Sequence, residues 1–392
     1  MKKEKKAWSC LKYFCILVAM TSCGLKNNTS EDNTESFKLN VRSVINNNEE
    51  KLYLSHFTDD IKYVRLETDS ACLLRVVNWL DITQNYIFVS DSRGLYQFDK
   101  NGSFIREIGR IGKGPGEHNG RIRFAIDKNQ NEVFIYSFGA GGVNVHDIKT
   151  GHFKHSFSVD FLAHDFVVLQ DGYIAFFTNE IKYDINEIYF VNRTGAKLDS
   201  ISNHLRKNIR GNLSGGANPY FCYGNLYYMY NYCDTLYQIN NDLERIPFAL
   251  FTLDNKESRN DFIIIPNPEA NYYPDYISIP RILHCSGYIF ITSQKGFGDG
   301  NIHNQDQRKI LYTKSSDELV ITKGFINDID GGMPFWPQWI RNDILIDYYH
   351  PYQILDYYNE TKESIEHSDA FIELVNNLNE NDNPILVLLT QK

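Results

Sequence analysis

The sequence has little proline, little methionine and no excess of basic residues. Each of these shortages excludes or disfavours one class of protein. Only 11 of the 392 residues are proline while 42% are hydrophobic, so the chain is not globally disordered and can form a large packed core. Lysine and arginine number 40 against 49 aspartate and glutamate, and the net charge of -9 argues against a nucleic-acid partner. The 4 methionines are outnumbered by 26 tyrosines and 25 phenylalanines, which favours β-sheet over helix.

The glycine-rich stretch IGRIGKGPGEHNG, from Ile108 to Gly120, lacks the features of a nucleotide-binding loop. A Walker loop needs a serine or threonine after its Gly-Lys pair, but glycine follows Gly112-Lys113. Phosphate-binding loops also lead into a helix, whereas two short apolar runs separated by a polar turn follow here. We therefore predict a tight connection in an all-β fold, with Pro115 and Gly116 at its central turn positions.

Motifs for metal binding and covalent catalysis are missing as well. There is no C-x-x-C pair, no Gly-x-Ser-x-Gly elbow and no close carboxylate pair in a loop, so no catalytic residue, metal ligand or cofactor is predicted. His152 and His155 are three residues apart on a predicted strand and should point to opposite faces. Four cysteines of the mature chain are predicted to be buried free thiols, although an exported protein could oxidise a pair of them: Cys72, Cys222, Cys233 and Cys285.

The N-terminal segment, 1–22, is predicted to be a lipoprotein signal peptide. It has a lysine-rich start and an apolar run from Tyr13 to Met20, which is well short of the ~20 residues that cross a bilayer. The residues MTSC resemble the lipobox of bacterial lipoproteins, with Met20 in place of the usual leucine. The resemblance implies that Cys23 becomes the first residue and carries a lipid anchor; an ordinary signal with an incidental cysteine is the alternative. The polar residues 23–50 are predicted to be a flexible tether.

The rest of the chain repeats one pattern of apolar runs and polar turns. The unit YIFVSDSRGLYQFDKNGSFIREIG contains three such runs, and the turn glycines Gly102, Gly151 and Gly195 lie about 45 to 50 residues apart, as in propeller blades. Each unit is a meander that can bury its faces only against its neighbours. Six units predict that residues 51–392 form one six-bladed β-propeller of four-stranded antiparallel blades, with one short C-terminal helix.

Three segments carry a resemblance to a known family: FDKNGSFIREIGRIGKGPGE, the earlier DIKYVRLET and the terminal DNPILVLLTQ. The chain resembles the six-bladed, NHL-like β-propeller lipoproteins of Gram-negative gut bacteria, a family largely uncharacterised in function. The resemblance implies a lipid-anchored protein of the cell envelope, at the outer membrane, and lends little chemistry. Chain ends commonly close such rings, so Asp60–Glu67 and Pro384–Thr390 are expected to complete the last blade. The spacing in KESIEHSDAFIELVNNLNEND predicts the helix, packed outside the ring.

A meander separates short loops from long ones. The turns between the first and second strands and between the third and fourth strands of a blade, such as KNG and KTG, are short and share one face, the tight-turn face. The connections between the second and third strands and between blades are long and share the opposite face, the long-loop face, which is therefore predicted to bind ligands. Polar residues near the innermost strands are candidates for an anionic or sugar ligand: Arg121, Arg123, His164, Asp165, Arg281 and His284. Aromatic residues are candidates for stacking on a sugar ring: Trp336, Trp339 and Tyr276, with Tyr272 and Tyr273. The structural alternatives are channel residues that bind only water or one another, and aromatics that pack between blades.

Two functions fit this sequence. The first is a membrane-anchored, non-enzymatic binding module for a glycan, a peptide or a partner lipoprotein. The second is a metal-assisted lyase or hydrolase at the mouth of the central channel. Only analogy between folds favours the enzyme, so binding is the preferred interpretation.

Overall fold

The computed structural model describes residues 36–138, 141–178, 186–203, 216–230, 233–253, 272–298 and 306–392. Strands in these residues form six sheets, which are the blades of a six-bladed β-propeller. The four meander strands of every blade are antiparallel, so the predicted fold class is confirmed. The predicted signal peptide and Cys23 lie outside the described residues.

Short elements precede the first complete blade. They are strand β1 (Phe37–Leu39), helix α1 (Val41–Val44), strand β2 (Glu50–Tyr53), a 3₁₀ turn (Leu54–His56) and strand β3 (Lys62–Arg65).

Blades 1 to 3 are consecutive meanders that run from the channel outwards. Blade 1 contains β4 (Trp79–Ile82), β5 (Tyr86–Ser90), β6 (Leu95–Asp99) and β7 (Phe104–Ile108). Blade 2 contains β8 (Ile122–Asp127), β9 (Glu132–Ser137), β10 (Gly142–Asp147) and β11 (Phe153–Ser158). Blade 3 contains β12 (Ala163–Val168), β13 (Ile174–Thr178), β14 (Asn186–Val191) and β15 (Lys197–Ser202).

Blades 4 to 6 complete the ring. Blade 4 contains β16 (Tyr220–Cys222), β17 (Asn225–Tyr228), β18 (Thr235–Ile239) and β19 (Arg245–Phe251). Blade 5 contains β20 (Tyr272–His284), β21 (Tyr288–Gly298), β22 (Asp306–Thr313) and β23 (Glu318–Ile326). Blade 6 contains β24 (Trp339–Arg341), β25 (Ile344–Tyr349), β26 (Ile385–Thr390) and β3, with helices α2 (Pro351–Thr361) and α3 (Asp369–Asn376) inserted before β26.

The two ends of the chain close the ring within blade 6. Strand β26 pairs with β25 on one side and with β3 on the other, and Leu386 lies opposite Val64. The predicted closure by Asp60–Glu67 and Pro384–Thr390 is therefore confirmed. Because both edges of β26 are hydrogen-bonded, the last strand of the chain leaves no unpaired edge.

The segment predicted as a tether is structured from Phe37 onwards, which departs from the sequence interpretation. Strand β1 extends blade 4 by pairing in parallel with β19, and β2 extends blade 5 by pairing in parallel with β23. Between them, Leu39, Val41 and Ile45 are buried in the main hydrophobic cluster. Their burial holds this segment against the ring.

The insertion before β26 holds two helices where one was predicted. The stretch PYQILDYY begins α2, which was not predicted, with Pro351 at its first turn and the backbone N–H of His350 donating to Gln353 (2.8 Å). Helix α3 is the predicted one, and Ser368 caps it by accepting from the Phe371 N–H (3.1 Å). Among the described residues, neither helix nor any other is long and apolar enough to cross a membrane.

The core is formed by apolar faces of neighbouring blades. Between blades 2 and 3, for example, the Tyr136 ring contacts Phe166 (6.1 Å between centroids) and Phe176 (5.7 Å). The four cysteines predicted to be buried free thiols are buried and unpaired, as expected: Cys72, Cys222, Cys233 and Cys285.

The recurring turn glycines lie at contacts between blades. Gly102, in the β6–β7 turn, has φ +94°, and a Cβ there would overlap the Arg65 carbonyl of β3 in blade 6. Gly195, in the β14–β15 turn, has φ +83°, and a Cβ there would lie 2.7 Å from the Ser158 carbonyl of blade 2. Glycine is required at both positions because the backbone is left-handed and the preceding blade leaves no room for a side chain.

Candidate functional site

A cavity of about 550 Å³ occupies one end of the central channel. Five blades build its wall, and four of them also contribute the turn between their first and second strands. The lining residues are Trp79 and Asp81, Phe124–Asn129, Phe166–Gln170, Pro219–Phe221 with Tyr223 and Gly224, and Ile340–Asp343. The cavity therefore opens on the tight-turn face, opposite the face that we predicted to bind ligands.

A smaller cavity of about 140 Å³ continues the channel toward the blade-to-blade connections. Blade 5 contributes to it through Arg281, Ile282 and Leu283. Four residues line both cavities, so the two are successive parts of one channel: Trp79, Pro219, Tyr220 and Arg341.

Trp79 stands at the junction of the two cavities and attracts two guanidinium groups. The guanidinium carbon of Arg123 is 4.9 Å from the Trp79 ring centroid, and that of Arg341 is 5.8 Å away. Arg123 also lies 5.3 Å from the Phe138 ring. These cation–π contacts keep two positive charges at the narrow part of the channel.

Backbone carbonyls fix the orientation of Arg341. Its Nε donates to the Leu80 carbonyl (3.0 Å) and its Nη1 to the Ile340 carbonyl (2.8 Å). Asp81 Oδ1 lies 3.9 Å from Arg341 Nε and accepts a hydrogen bond from the Ile82 N–H (2.7 Å). Charges of both signs thus face the large cavity in fixed positions.

Hydrogen bonds between blades hold the rim of the large cavity. Lys128 of blade 2 bonds to Asn342 of blade 6, and Asn342 Nδ2 donates to the Ile82 carbonyl of blade 1 (2.7 Å). The Tyr223 N–H donates to Asp343 (3.2 Å), and the Tyr223 hydroxyl accepts from the Ser286 N–H (3.2 Å). The rim is preorganised, while the Tyr223 side chain stays 54% exposed.

His164 and Asp165 lie at a bulge in β12, next to Arg123. Burial, reinforced by Arg123, lowers the pKa of His164 to about 4, so its imidazole is neutral at physiological pH. Burial raises the pKa of Asp165 to about 7, against the opposing effects of Arg123, the Phe166 N–H and Arg341. Within the described part of the chain, its carboxylate accepts one hydrogen bond, from the Phe166 N–H (2.8 Å). Asp165 is a buried acid that titrates near neutrality.

Two predicted ligand residues belong to the packing between blades. The His284 ring is 3% exposed, bonds to the Tyr220 hydroxyl (2.7 Å) and lies 4.3 Å from the Tyr227 ring, and burial with Lys314 lowers its pKa to about 3. The Trp336 ring is buried and its Nε1 donates to Thr292 (3.2 Å). Neither lines the two cavities, so the expected stacking surface does not include Trp336.

The remaining candidates occupy varied positions. Trp339 and Arg281 line the smaller cavity, and Trp339 is only 8% exposed. Tyr276 is buried, and Arg121 is exposed at the start of β8. The side chains of Tyr272 and Tyr273 lie outside the described residues. Of the predicted residues, Arg281 and Trp339 thus line the channel, and Arg123 contacts the channel residue Trp79 with His164 and Asp165 beside it.

Sequence reasoning missed the residues of the tight-turn face. The sequence did not indicate the lining residues Trp79, Asp81, Lys128, Tyr223 and Asn342, because short turns carry no length signal that distinguishes a binding face. Much of the long connections, 204–215, 254–271 and 299–305, lies outside the described residues. The repeated position of polar residues just after each innermost strand was the available signal.

Within the described ranges, no three His, Cys, Asp or Glu side chains come together as a metal site requires. The metal-assisted lyase or hydrolase that the sequence left as an alternative therefore has no ligand group in that part of the chain.

Several solved structures are similar to this chain. A Bacteroides fragilis protein assigned to the exported class is 19% identical, with 91% of this chain and 99% of that one covered and a TM-score of 0.66. A member of the DUF4221 family from Bacteroides vulgatus is 11% identical, with 86% and 97% covered and a TM-score of 0.48. Virginiamycin B lyase from Staphylococcus aureus is 9% identical, with 84% and 99% covered and a TM-score of 0.42.

The Bacteroides fragilis structure bears on the fold alone, and no curated protein matches the chain. A family described as a domain of unknown function, DUF4934, matches residues 36–390. The chain therefore belongs to the DUF4934 family.

Proposed function

We propose that this protein is an exported, NHL-like binding module, anchored by lipid at Cys23, that takes a small polar ligand into its central channel. The observation that carries the proposal is the cavity of about 550 Å³ at the tight-turn face. Small-ligand sites commonly measure ~300 to 1,000 Å³, so this volume suits a short glycan or the end of a peptide.

The chemistry of the wall supports a polar ligand. Asp81 and Asp343 supply carboxylates, Lys128 and Arg341 supply cations, and the Trp79 ring supplies an apolar face. Such a mixture matches hydroxyl and amide groups that lie beside apolar carbon, as in sugars and peptides. The hydrogen-bonded rim lowers the entropic cost of binding because its side chains are already ordered.

The proposal moves the working surface from the long-loop face to the tight-turn face. To test it, the mature chain with Cys23→Ser would be screened on glycan and peptide arrays, and hits measured by calorimetry. Tyr223→Asn removes the exposed ring at the rim, and asparagine tolerates the left-handed backbone there (φ 47°). We expect it to weaken binding at least ~10-fold, equal to about 1.4 kcal/mol.

Arg121→Ala is the matched control, since Arg121 is exposed outside both cavities. It should bind normally. If binding is lost in Arg121→Ala and kept in Tyr223→Asn, the ligand uses the long-loop face and the proposal is wrong.

The anchor has a separate test. Cys23→Ala in the full-length protein should abolish labelling by a fatty-acid analogue, because the modified thiol is gone. Labelling that persists in this variant would contradict lipid attachment at Cys23.

A further inference from the structure

We infer that the smaller cavity is a subsite for one anionic group of the ligand, a carboxylate or a sulfate, with Arg281 as the residue that binds it. The inference rests on the proposed binding function and adds the chemical class of the ligand.

Arg281 presents an unsatisfied cation to this cavity. Its side chain comes from β20 and lines the cavity, yet its guanidinium makes no hydrogen bond or ion pair with any described residue. Burial lowers the pKa of the guanidinium, but arginine keeps its charge in proteins. Removing a cation from water without a partner is costly, so a partially buried arginine with free donors favours an incoming anion.

The acidic neighbour of Arg281 is already occupied by other donors. Asp347 is buried, and its carboxylate accepts hydrogen bonds from the Trp336 N–H (3.1 Å), the Tyr348 N–H (2.9 Å) and the Tyr349 hydroxyl (3.4 Å). Lys309 also lies close enough to favour its charged form. Asp347 therefore balances part of the charge of Arg281, but it does not accept a hydrogen bond from the Arg281 guanidinium.

The composition of the wall supports the same conclusion. Arg281 and Arg341 line the smaller cavity, and among the residues that the structure describes no aspartate or glutamate does. The amides of Asn78 and Gln338 offer further donors there. In a protein of net charge -9, this wall forms a local positive region, which attracts and orients anions.

Size restricts what can enter. The smaller cavity of about 140 Å³ is below the ~300 Å³ of small-molecule sites but several times the ~30 Å³ of one water. It therefore suits a carboxylate or sulfate group rather than a whole sugar ring. Trp79 and Tyr220 border both cavities, so a ligand held in the larger one can extend its acidic group to Arg281.

The probes are sodium sulfate and sodium acetate, titrated against chloride at equal ionic strength into the mature chain carrying Cys23→Ser. We expect at least one of them to raise Tm saturably and to change tryptophan fluorescence, because Trp79 and Trp339 border the cavity. If sulfate is the active probe, the subsite binds a tetrahedral anionic group; if acetate is, the subsite binds a planar carboxylate. The inference is wrong if neither anion gives a saturable effect.

Two variants locate the site. Arg281→Gln should weaken the anion effect at least ~10-fold, and Arg281→Lys should restore part of it. Asn78→Asp introduces a carboxylate beside Arg281 and Arg341. Because position 78 is exposed, the variant should fold, and the new carboxylate should compete with the anion. Asn119→Asp, also at an exposed position, is the control for this variant. If Arg281→Gln folds and binds the anion as the wild type does, the inference is wrong. If Arg281→Gln does not fold, unchanged anion binding in Asn78→Asp would overturn the inference.

The two proposals can fail separately. If a ligand found on the arrays requires Tyr223 but not Arg281 for binding, the proposed binding function stands and the anion subsite is wrong. A saturable, Arg281-dependent anion effect in a protein that binds no array ligand supports the subsite and removes the support for a glycan or peptide.

Discussion

At the residue scale, His284 shows how a candidate ligand can be part of the core. Its folded pKa is about 3, below the ~6.5 of an exposed histidine, so the unfolded state binds more protons at acid pH. The stability it contributes is fully present above about pH 6.5 and is lost as pH falls toward 3. We predict that the urea-unfolding free energy falls less between about pH 7 and pH 5 in His284→Gln than in the wild type.

The control for this prediction is His152→Gln, at an exposed position. Because this side chain is exposed, the substitution should leave the unfolding free energy within about 0.5 kcal/mol of the wild-type value. Identical slopes in His284→Gln and the wild type would show that His284 is not buried as a neutral ring. Loss of the hydrogen bond between the imidazole and the buried Tyr220 hydroxyl should also cost His284→Gln about 1 to 3 kcal/mol at neutral pH.

Asp165 should have the opposite pH dependence. Its folded pKa is about 7, above the ~3.9 of an exposed aspartate, so its contribution is present at low pH and is lost as pH rises through 7. Asp165→Asn should therefore gain stability relative to the wild type by on the order of 2 kcal/mol between about pH 5 and pH 7. Thermal melts of both proteins across this range give the comparison, and a constant difference would mean that Asp165 is ionised throughout.

At the element scale, the N-terminal strands are part of the folded domain. Leu39 on β1 is 2% exposed and packs in the main hydrophobic cluster, whereas Lys38 on the same strand is exposed. Leu39→Ala should cost about 2 to 5 kcal/mol of unfolding free energy, while Lys38→Ala should stay within about 0.5 kcal/mol. Equal effects in urea melts would mean that this segment is the tether that the sequence predicted.

Some elements were predictable from the sequence because their signals are local. The blades follow from alternating apolar runs and turn glycines such as Gly102. Strand β1 was missed because a parallel edge strand depends on a partner, β19, that is distant in sequence. Helix α2 was not predicted because its aromatic residues favour sheet, although Pro351 after His350 marks a helix start. The channel cavity was missed because residues of five blades meet there only in three dimensions.

At the scale of the whole molecule, ring closure makes the two ends of the chain interdependent. Deleting 384–392 removes β26, so β3 and β25 lose their shared partner and the apolar side chains of blade 6 become exposed. We predict aggregation or loss of the single cooperative unfolding transition. Calorimetry and size-exclusion chromatography measure both, with deletion of 391–392 as the control. A cooperative melt in the longer truncation would show that β26 is dispensable for closure.

The turn glycines have a consequence for how the sequence of this propeller can change in evolution. At Gly102 and Gly195 the turn of one blade lies against the outermost strand of the blade before it, too close for any side chain. Backbone contacts at the outer rim thus fix the angular spacing between neighbouring blades, and this spacing does not depend on the length of the connecting segments. Connections as different as Val159–Leu162 and Gly109–Arg121 can therefore follow successive blades, and new sequences inserted there would leave the angular spacing of the ring unchanged.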